Sequence, residues 1–164
     1  MLSFRKKIVE LAQLLEVSAI NRKNKLKVIH CHGTFDLIHP GHLRHFQEAK
    51  SLGDILIVTI TPDRFVIKGK DRPVFGEELR AESIASLEYV DFVSINDEPT
   101  AIKLLKDLKP SIYVKGSDYK NADDDPTGNI AAEVAVVEDS GGSVHFTEGI
   151  RFSSTDLINK YFSS

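Results

Sequence analysis

The segment GTFDLIHPGH, residues 33–42, lies between an apolar run and a stretch with helical spacing. Two histidines, His39 and His42, flank its Pro40-Gly41 pair. Gly41 lets the backbone approach a ligand closely, and the N-terminus of the following helix offers free amides to an anion. Both imidazoles could then donate hydrogen bonds to phosphate oxygens. The segment therefore predicts a phosphate-binding site at a helix N-terminus.

Apolar runs alternate with segments of helical periodicity on both sides of this segment. Strands are predicted at residues 26–31, 55–60, 89–95, 111–114 and 143–146. Helices are predicted at residues 4–16, 43–52, 77–87, 99–108, 131–138 and 153–161. Strands that alternate with helices form βαβ units around a parallel sheet. The predicted fold is α/β, a Rossmann-like three-layer α/β/α sandwich with a parallel sheet of about five strands.

Length and the position of the first strand predict the domain organisation. A chain of 164 residues is long enough for one domain with a substantial core. We expect an N-terminal helix and linker over residues 1–24, and the main domain over residues 25–164.

Charge and cysteine content narrow the class of protein. The net charge is -3, from 21 basic and 24 acidic residues, which disfavours a general nucleic-acid binder. The single cysteine, Cys31, cannot form an intrachain disulfide, and this favours a reducing compartment. No apolar run approaches the roughly 18 residues of a membrane span, and the N-terminus lacks the apolar region of a signal peptide. We therefore expect a cytoplasmic protein with neither nucleic acid nor membrane as a partner.

Three segments with unusual chemistry follow predicted strands, after Cys31, Val114 and Phe146. Ligands of parallel sheets bind at the carboxyl ends of the strands, so we expect these segments to converge at one edge. A transition-metal site is the alternative for the histidines at positions 30, 32, 39, 42 and 45. It is disfavoured because His30 and His32 alternate along a strand whereas the later pair straddles a turn.

The segment at residues 33–42 resembles the nucleotide-binding signature of the cytidylyltransferase-like superfamily of nucleotidyltransferases. There, a glycine, a threonine or cysteine, a phenylalanine and an aspartate precede a histidine-x-glycine-histidine. The resemblance covers nearly all of the chain from residue 25 and is strongest to the adenylyltransferase domain that makes ADP-heptose from heptose 1-phosphate. Related domains are joined to ribokinase-like sugar kinases. The other matching pieces are Arg72-Pro73-Val74, Arg80 with Val90-Asp91, residues 114–119, and Glu148-Gly149-Ile150 followed by Ser153-Ser154-Thr155.

The resemblance implies transfer of a nucleoside monophosphate from ATP or CTP to a sugar or polyol phosphate, with Mg²⁺ on the phosphates and release of pyrophosphate. It assigns catalysis to His39, His42 and Lys68, although Lys70 is an equal candidate from sequence alone. It assigns substrate binding to Lys115 and Asp118. Nucleotide contacts are implied for Gly33, Thr34, Phe35, Asp36, Gly41, Arg80, Ser153, Ser154 and Thr155.

Several alternatives stay open at this point. The metal ligands, the base, a homodimer and a sugar kinase joined in a longer chain are not decided by the residues. The insertion of Arg151-Phe152 before the serines leaves their register open, and helix capping is their other role. A class I aminoacyl-tRNA synthetase fragment carries a similar histidine signature, but the acidic charge disfavours it. A nucleotide-sensing module without turnover is the remaining alternative.

Overall fold

The computed structural model describes residues 3–120, 125 and 128–148, the backbone of residues 154–157, and residues 158–161. Five parallel strands form one sheet in the order β3-β2-β1-β4-β5, and this confirms the predicted fold. The central strands carry almost only buried side chains, as expected for a parallel sheet covered on both faces. The strands are β1 (Val28–Gly33), β2 (Ile55–Ile60), β3 (Phe92–Ile95), β4 (Ile112–Lys115) and β5 (Ser143–Phe146).

Helices cover both faces of the sheet. Side chains of α2 and α3 pack with one core cluster, which includes Cys31 and Val58, whereas α1, α4 and α5 pack on the opposite face around Ile57 and Tyr113. Among the described residues, no helix is long and apolar enough to cross a membrane. The helices are α1 (Leu11–Lys23), α2 (Pro40–Ser51), α3 (Glu77–Ala85), α4 (Ile102–Leu108), α5 (Ile130–Asp139) and α6 (Ser154–Tyr161).

The helix predicted over residues 4–16 is wrong. A 3-10 turn spans Ser3–Lys7, the chain then pairs with the sheet through an Ile8–Val93 bridge, and α1 begins only at Leu11. Phe4 and Ile8 pack against the core on one face of the sheet, but Leu11 and Leu15 pack on the other. Apolar spacing of three and four residues therefore arises here from a chain that crosses the sheet edge.

Two observed element boundaries lie closer to the predicted phosphate-binding segment, residues 33–42, than the sequence predicted. Strand β1 extends through His32 to Gly33, two residues beyond the prediction, and α2 begins at Pro40 rather than at residue 43. Pro at the first helical position is favourable because its missing N–H would have had no intrahelical partner. Gly41 and His42 thus lie inside the first turn of α2, close to the positive end of the helix dipole.

Candidate active site

The two signature histidines lie against each other at the start of α2. His39 is the N-cap residue, with an extended backbone, and His42 follows in the first turn. Their rings are stacked, with centroids 3.8 Å apart and an interplanar angle of 23°. The stack brings two imidazoles to the end of the helix that attracts anions.

Burial keeps both imidazoles neutral near pH 7. Desolvation lowers the pKa of His39, and it lowers the pKa of His42 to about 3, with further contributions from His39, His45 and Lys68. A neutral imidazole still carries one N–H donor. The pair can therefore donate hydrogen bonds to phosphate oxygens without placing two positive charges in contact.

The Phe35 ring packs against His42 of the histidine stack. The two rings meet edge-on, with centroids 5.4 Å apart, and the Phe35 ring also contacts the Phe46 ring at 5.1 Å. Phe35 has a φ of 48°, a left-handed conformation that non-glycine residues seldom adopt. A Cβ at Gly33 would lie 3.1 Å from the Phe35 ring, so the glycine makes room for this ring. Contacts of Gly33 and Phe35 with nucleotide stay predictions.

Asp36 anchors the loop that connects β2 with α3. Its buried carboxylate accepts hydrogen bonds from Arg72 Nε at 2.7 Å, from the Val74 amide at 2.7 Å and from the Phe75 amide at 3.4 Å. The Arg72 side chain is 7% exposed and that of Asp36 is fully buried, so the ion pair is well shielded from water. Asp36 thereby ties this loop to the segment that carries the histidines.

Arg80 of α3 binds both the histidine segment and the Asp36-anchored loop. It is 1% exposed, and its guanidinium donates to the carbonyls of Thr34, Thr61 and Phe75 and to the Asp63 carboxylate. Four of its five N–H donors are thus directed at protein groups. The observed contacts give Arg80 a structural role, and its predicted contact with nucleotide stays a prediction.

Lys68 and Lys70 are the two lysines that the sequence offers as candidates for catalysis. Lys68 is exposed, yet desolvation and the neighbouring Arg72 charge lower its pKa, whereas Asp36 opposes this shift. Its charge also lowers the pKa of His42, so Lys68 and the histidine stack lie within electrostatic reach. The catalytic role of Lys68 stays a prediction, with Lys70 as its alternative.

Lys115 ends β4 and is 5% exposed. Its ammonium lies 3.2 Å from the Glu133 carboxylate and 4.0 Å above the Tyr119 ring. Its charge lowers the pKa of His45, whose value is about 4 mainly because of burial. Asp118 is exposed on the turn after the strand. The structure thus brings Lys115 to the same sheet edge as α2, on the opposite side of β1 from the Asp36-anchored loop.

Some residues near the site were not predicted as site residues, and some predicted ones lie outside the described part of the chain. His45 lies one turn beyond His42 on α2, and its Nδ1 is 3.2 Å from Thr147 Oγ1. The spacing of three residues in a helix could have indicated this neighbour, but no sequence signal links Lys115 with Glu133. Ser153 lies outside the described residues, as do the side chains of Ser154 and Thr155.

The described residues do not form a magnesium cage. Among them, no group of three or more His, Cys, Asp or Glu side chains is arranged to hold a metal ion. The Asp36 carboxylate, an obvious oxygen ligand, is engaged with Arg72 and two amides. Magnesium therefore stays a prediction.

Proteins of related sequence cover most of this chain. Residues 30–160 match the model of the Cytidylyltransferase-like family. The bifunctional protein HldE of Campylobacter fetus is 47% identical over 159 residues, and that of Helicobacter pylori is 40% identical over 157 residues. These alignments cover 96% and 94% of this chain but 32% and 31% of the relatives. The chain therefore spans about a third of the length of these relatives.

Solved structures share the fold. The lipopolysaccharide core biosynthesis protein of Thermoplasma volcanium has a TM-score of 0.61 at 26% identity, over 78% of this chain and 99% of that one. The pantoate-beta-alanine ligase of Francisella tularensis, complexed with beta-gamma ATP and beta-alanine, has a TM-score of 0.66 at 17% identity, over 96% and 73%. At that identity, the ligase supports the fold alone.

Proposed function

The chain belongs to the cytidylyltransferase-like family of nucleotidyltransferases, and we propose that it transfers a nucleoside monophosphate from ATP, or from CTP, to a sugar phosphate. One observation carries the proposal. His39 and His42 form a neutral, stacked pair at the N-terminus of α2, where a triphosphate would meet imidazole donors and the helix dipole together. The resemblance to the domain that makes ADP-heptose from heptose 1-phosphate favours ATP and a sugar 1-phosphate within this class.

The reaction is a direct displacement at phosphorus. A phosphate oxygen of the sugar phosphate attacks the α-phosphorus of the nucleotide, the bond to the bridging oxygen breaks, and pyrophosphate leaves with the electron pair. Hydrogen bonds from the His39 and His42 N–H groups strengthen as negative charge moves onto the leaving pyrophosphate, which lowers the barrier. No side chain has to form a covalent intermediate.

Lys68 contributes positive charge from the side of the Asp36-anchored loop. Its ammonium approaches the α-phosphate when the loop closes over the triphosphate, and a closed loop also excludes water. Asp36 and Arg72 hold the base of this loop through their buried ion pair, so they act on catalysis by positioning. Lys68 should therefore affect the rate more than nucleotide binding.

The acceptor lies on the other side of β1. Lys115 pairs with the phosphate of the sugar phosphate, and Asp118 accepts hydrogen bonds from its hydroxyl groups. Magnesium, when it accompanies the nucleotide, neutralises phosphate charge. The described residues offer it no cage of their own.

The assembly and location of the whole protein belong to the same proposal. The HldE relatives are named as bifunctional and are about three times as long as this chain, which supports a partnership with a sugar kinase in a longer protein. We further propose a cytoplasmic setting, because ATP and sugar phosphates are found there.

Pyrophosphate release separates an enzyme from a nucleotide sensor. The chain is incubated with each of ATP, CTP, GTP and UTP in the presence of magnesium and a panel of sugar and polyol phosphates. We expect pyrophosphate with one nucleotide, only when a sugar phosphate is present, and about 100-fold more slowly with His42→Ala. Nucleotide binding without release under any pair of substrates would support the sensor instead.

A further inference from the structure

A buried ion pair lies beneath the carboxyl edge of β4. Lys115 Nζ is 3.2 Å from Glu133 Oε2, and both side chains are at least nine-tenths buried. The Tyr113 hydroxyl donates a hydrogen bond of 3.0 Å to the same Oε2. Glu133 belongs to α5, the helix that covers this part of the sheet. The lysine is therefore fixed by a carboxylate that is itself fixed by a tyrosine.

Stability alone gives little reason for such a pair. Replacing a buried ion pair with apolar side chains of similar volume is often neutral or stabilising. Lys115, however, lies at the end of β4 beside β1, which is the point where the strand order β3-β2-β1-β4-β5 reverses. Ligands of open parallel sheets bind at this point, so a fixed ammonium here would face a phosphate that binds at this edge.

We propose that Glu133 is a positioning residue that holds the Lys115 ammonium at the carboxyl edge of the sheet for a phosphate of the acceptor. The proposal rests on the proposed function and adds a residue to it. Tyr113 supports Glu133 through its hydroxyl, and Tyr119 covers the ammonium with the face of its ring, 4.0 Å away. Glu133 touches neither substrate and acts only through Lys115.

The other groups around Lys115 cannot replace this carboxylate. Burial lowers the pKa of the three neighbouring histidines and raises the pKa of the cysteine and the two tyrosines, so all six are neutral near pH 7. Asp118, on the exposed turn after β4, raises the pKa of His45, whereas Lys115 lowers it. The six neutral groups are His30, Cys31 and His32 of β1, His45 of α2, Tyr113 of β4, and Tyr119 of the following turn.

The test measures the response of Lys115 to inorganic phosphate at pH 7, by NMR of ¹³Cε-labelled lysine. In Glu133→Gln the ammonium loses the carboxylate that holds it at the carboxyl edge of the sheet. The phosphate affinity read at Lys115 should therefore weaken about tenfold, because a preorganised binding group is lost. Glu138→Gln, an exposed change on the same helix, should leave this affinity unchanged.

A phosphate affinity that is equal or tighter in Glu133→Gln would overturn the proposal. If this variant does not fold, Tyr113→Phe removes only the supporting hydrogen bond. The phosphate affinity read at Lys115 should then weaken about threefold, and an unchanged affinity would again overturn the proposal. The readout does not require turnover, so failure of nucleotidyl transfer in the wild-type protein would be recognised separately.

Discussion

Replacing Asp36 with asparagine removes one charge from the most enclosed ion pair of the site and keeps the shape of the side chain. The amide oxygen can still accept from Val74 and Phe75, but the Arg72 guanidinium, 7% exposed, loses its counter-charge. Removing one partner of a buried pair costs about 3–5 kcal/mol. Because the acceptor geometry is kept, we expect a loss near the lower end, about 3 kcal/mol of the free energy of unfolding.

Asp91→Asn is the matched control. Like Asp36, Asp91 accepts hydrogen bonds from a cationic side chain and from the backbone, here from Lys50 at 2.6 Å and from the Leu56 amide at 2.7 Å. The side chains of Asp91 and Lys50, however, are 31% and 29% exposed. A partly solvated pair of this kind contributes about 1 kcal/mol or less. The Asp91–Lys50 pair also lies at the amino end of the strands, away from the histidines. Loss of this pair should therefore leave turnover unchanged.

Urea unfolding followed by far-ultraviolet circular dichroism measures both variants, since the chain has no tryptophan. Turnover is then compared per folded molecule. We expect Asp36→Asn to be less stable than Asp91→Asn by about 2 kcal/mol and to lower kcat, because the loop that carries Lys68 loses its anchor. Equal stability of the two variants would refute the assignment of Asp36 as that anchor.

The remaining predictions concern the histidines and the loop lysines. His39→Ala and His42→Ala should each lower kcat by about 100-fold, as loss of a preorganised donor does, with an unchanged circular dichroism spectrum; near-normal turnover would remove the assigned role. Lys68→Ala should lower kcat more than it weakens nucleotide binding, whereas Lys70→Ala should change neither quantity much. Steady-state kinetics measures kcat and calorimetry measures nucleotide binding. A larger loss of kcat in Lys70→Ala than in Lys68→Ala would contradict the prediction. Because burial lowers the pKa of His42 to about 3, the unfolded chain binds a proton near pH 5 that the folded chain does not. Stability should therefore be complete above about pH 6.5 and fall toward pH 3, by at most about 1.4 kcal/mol per pH unit for this residue. Urea unfolding of His42→Gln should show a shallower fall with pH, and an equal slope would contradict the burial of a neutral imidazole.

The sequence predicted the fold well because its strongest signals are local. The apolar run of β2 matches the observed strand, Ile55–Ile60, in full, and the Pro40-Gly41 pair marks the start of α2. The prediction of the first helix was wrong for a physical reason. Phe4 and Leu11 lie on opposite faces of the sheet, and a periodicity cannot distinguish one buried helix face from two buried segments.

The candidate site was predictable only in part. The histidine pair could be found because its members are three residues apart and flank a turn. The partners that fix the site are distant in sequence, since Arg72 lies 36 residues after Asp36 and Glu133 lies 18 after Lys115. Such pairs depend on how α3 and α5 pack against the sheet, which no local pattern encodes. Arg80 shows the converse, because a motif position that suggested phosphate binding is observed bound to carbonyls and a carboxylate.

The phosphorus atom that moves identifies the reaction most directly. The chain is incubated with the accepting sugar phosphate and nucleotide labelled with ³²P at either the α or the γ position, and the products are separated. Nucleotidyl transfer predicts the α label in a nucleoside-diphosphate sugar and the γ label in pyrophosphate, with both products formed about 100-fold more slowly by His42→Ala. A γ label in the sugar product would show phosphoryl transfer and would contradict the proposed reaction.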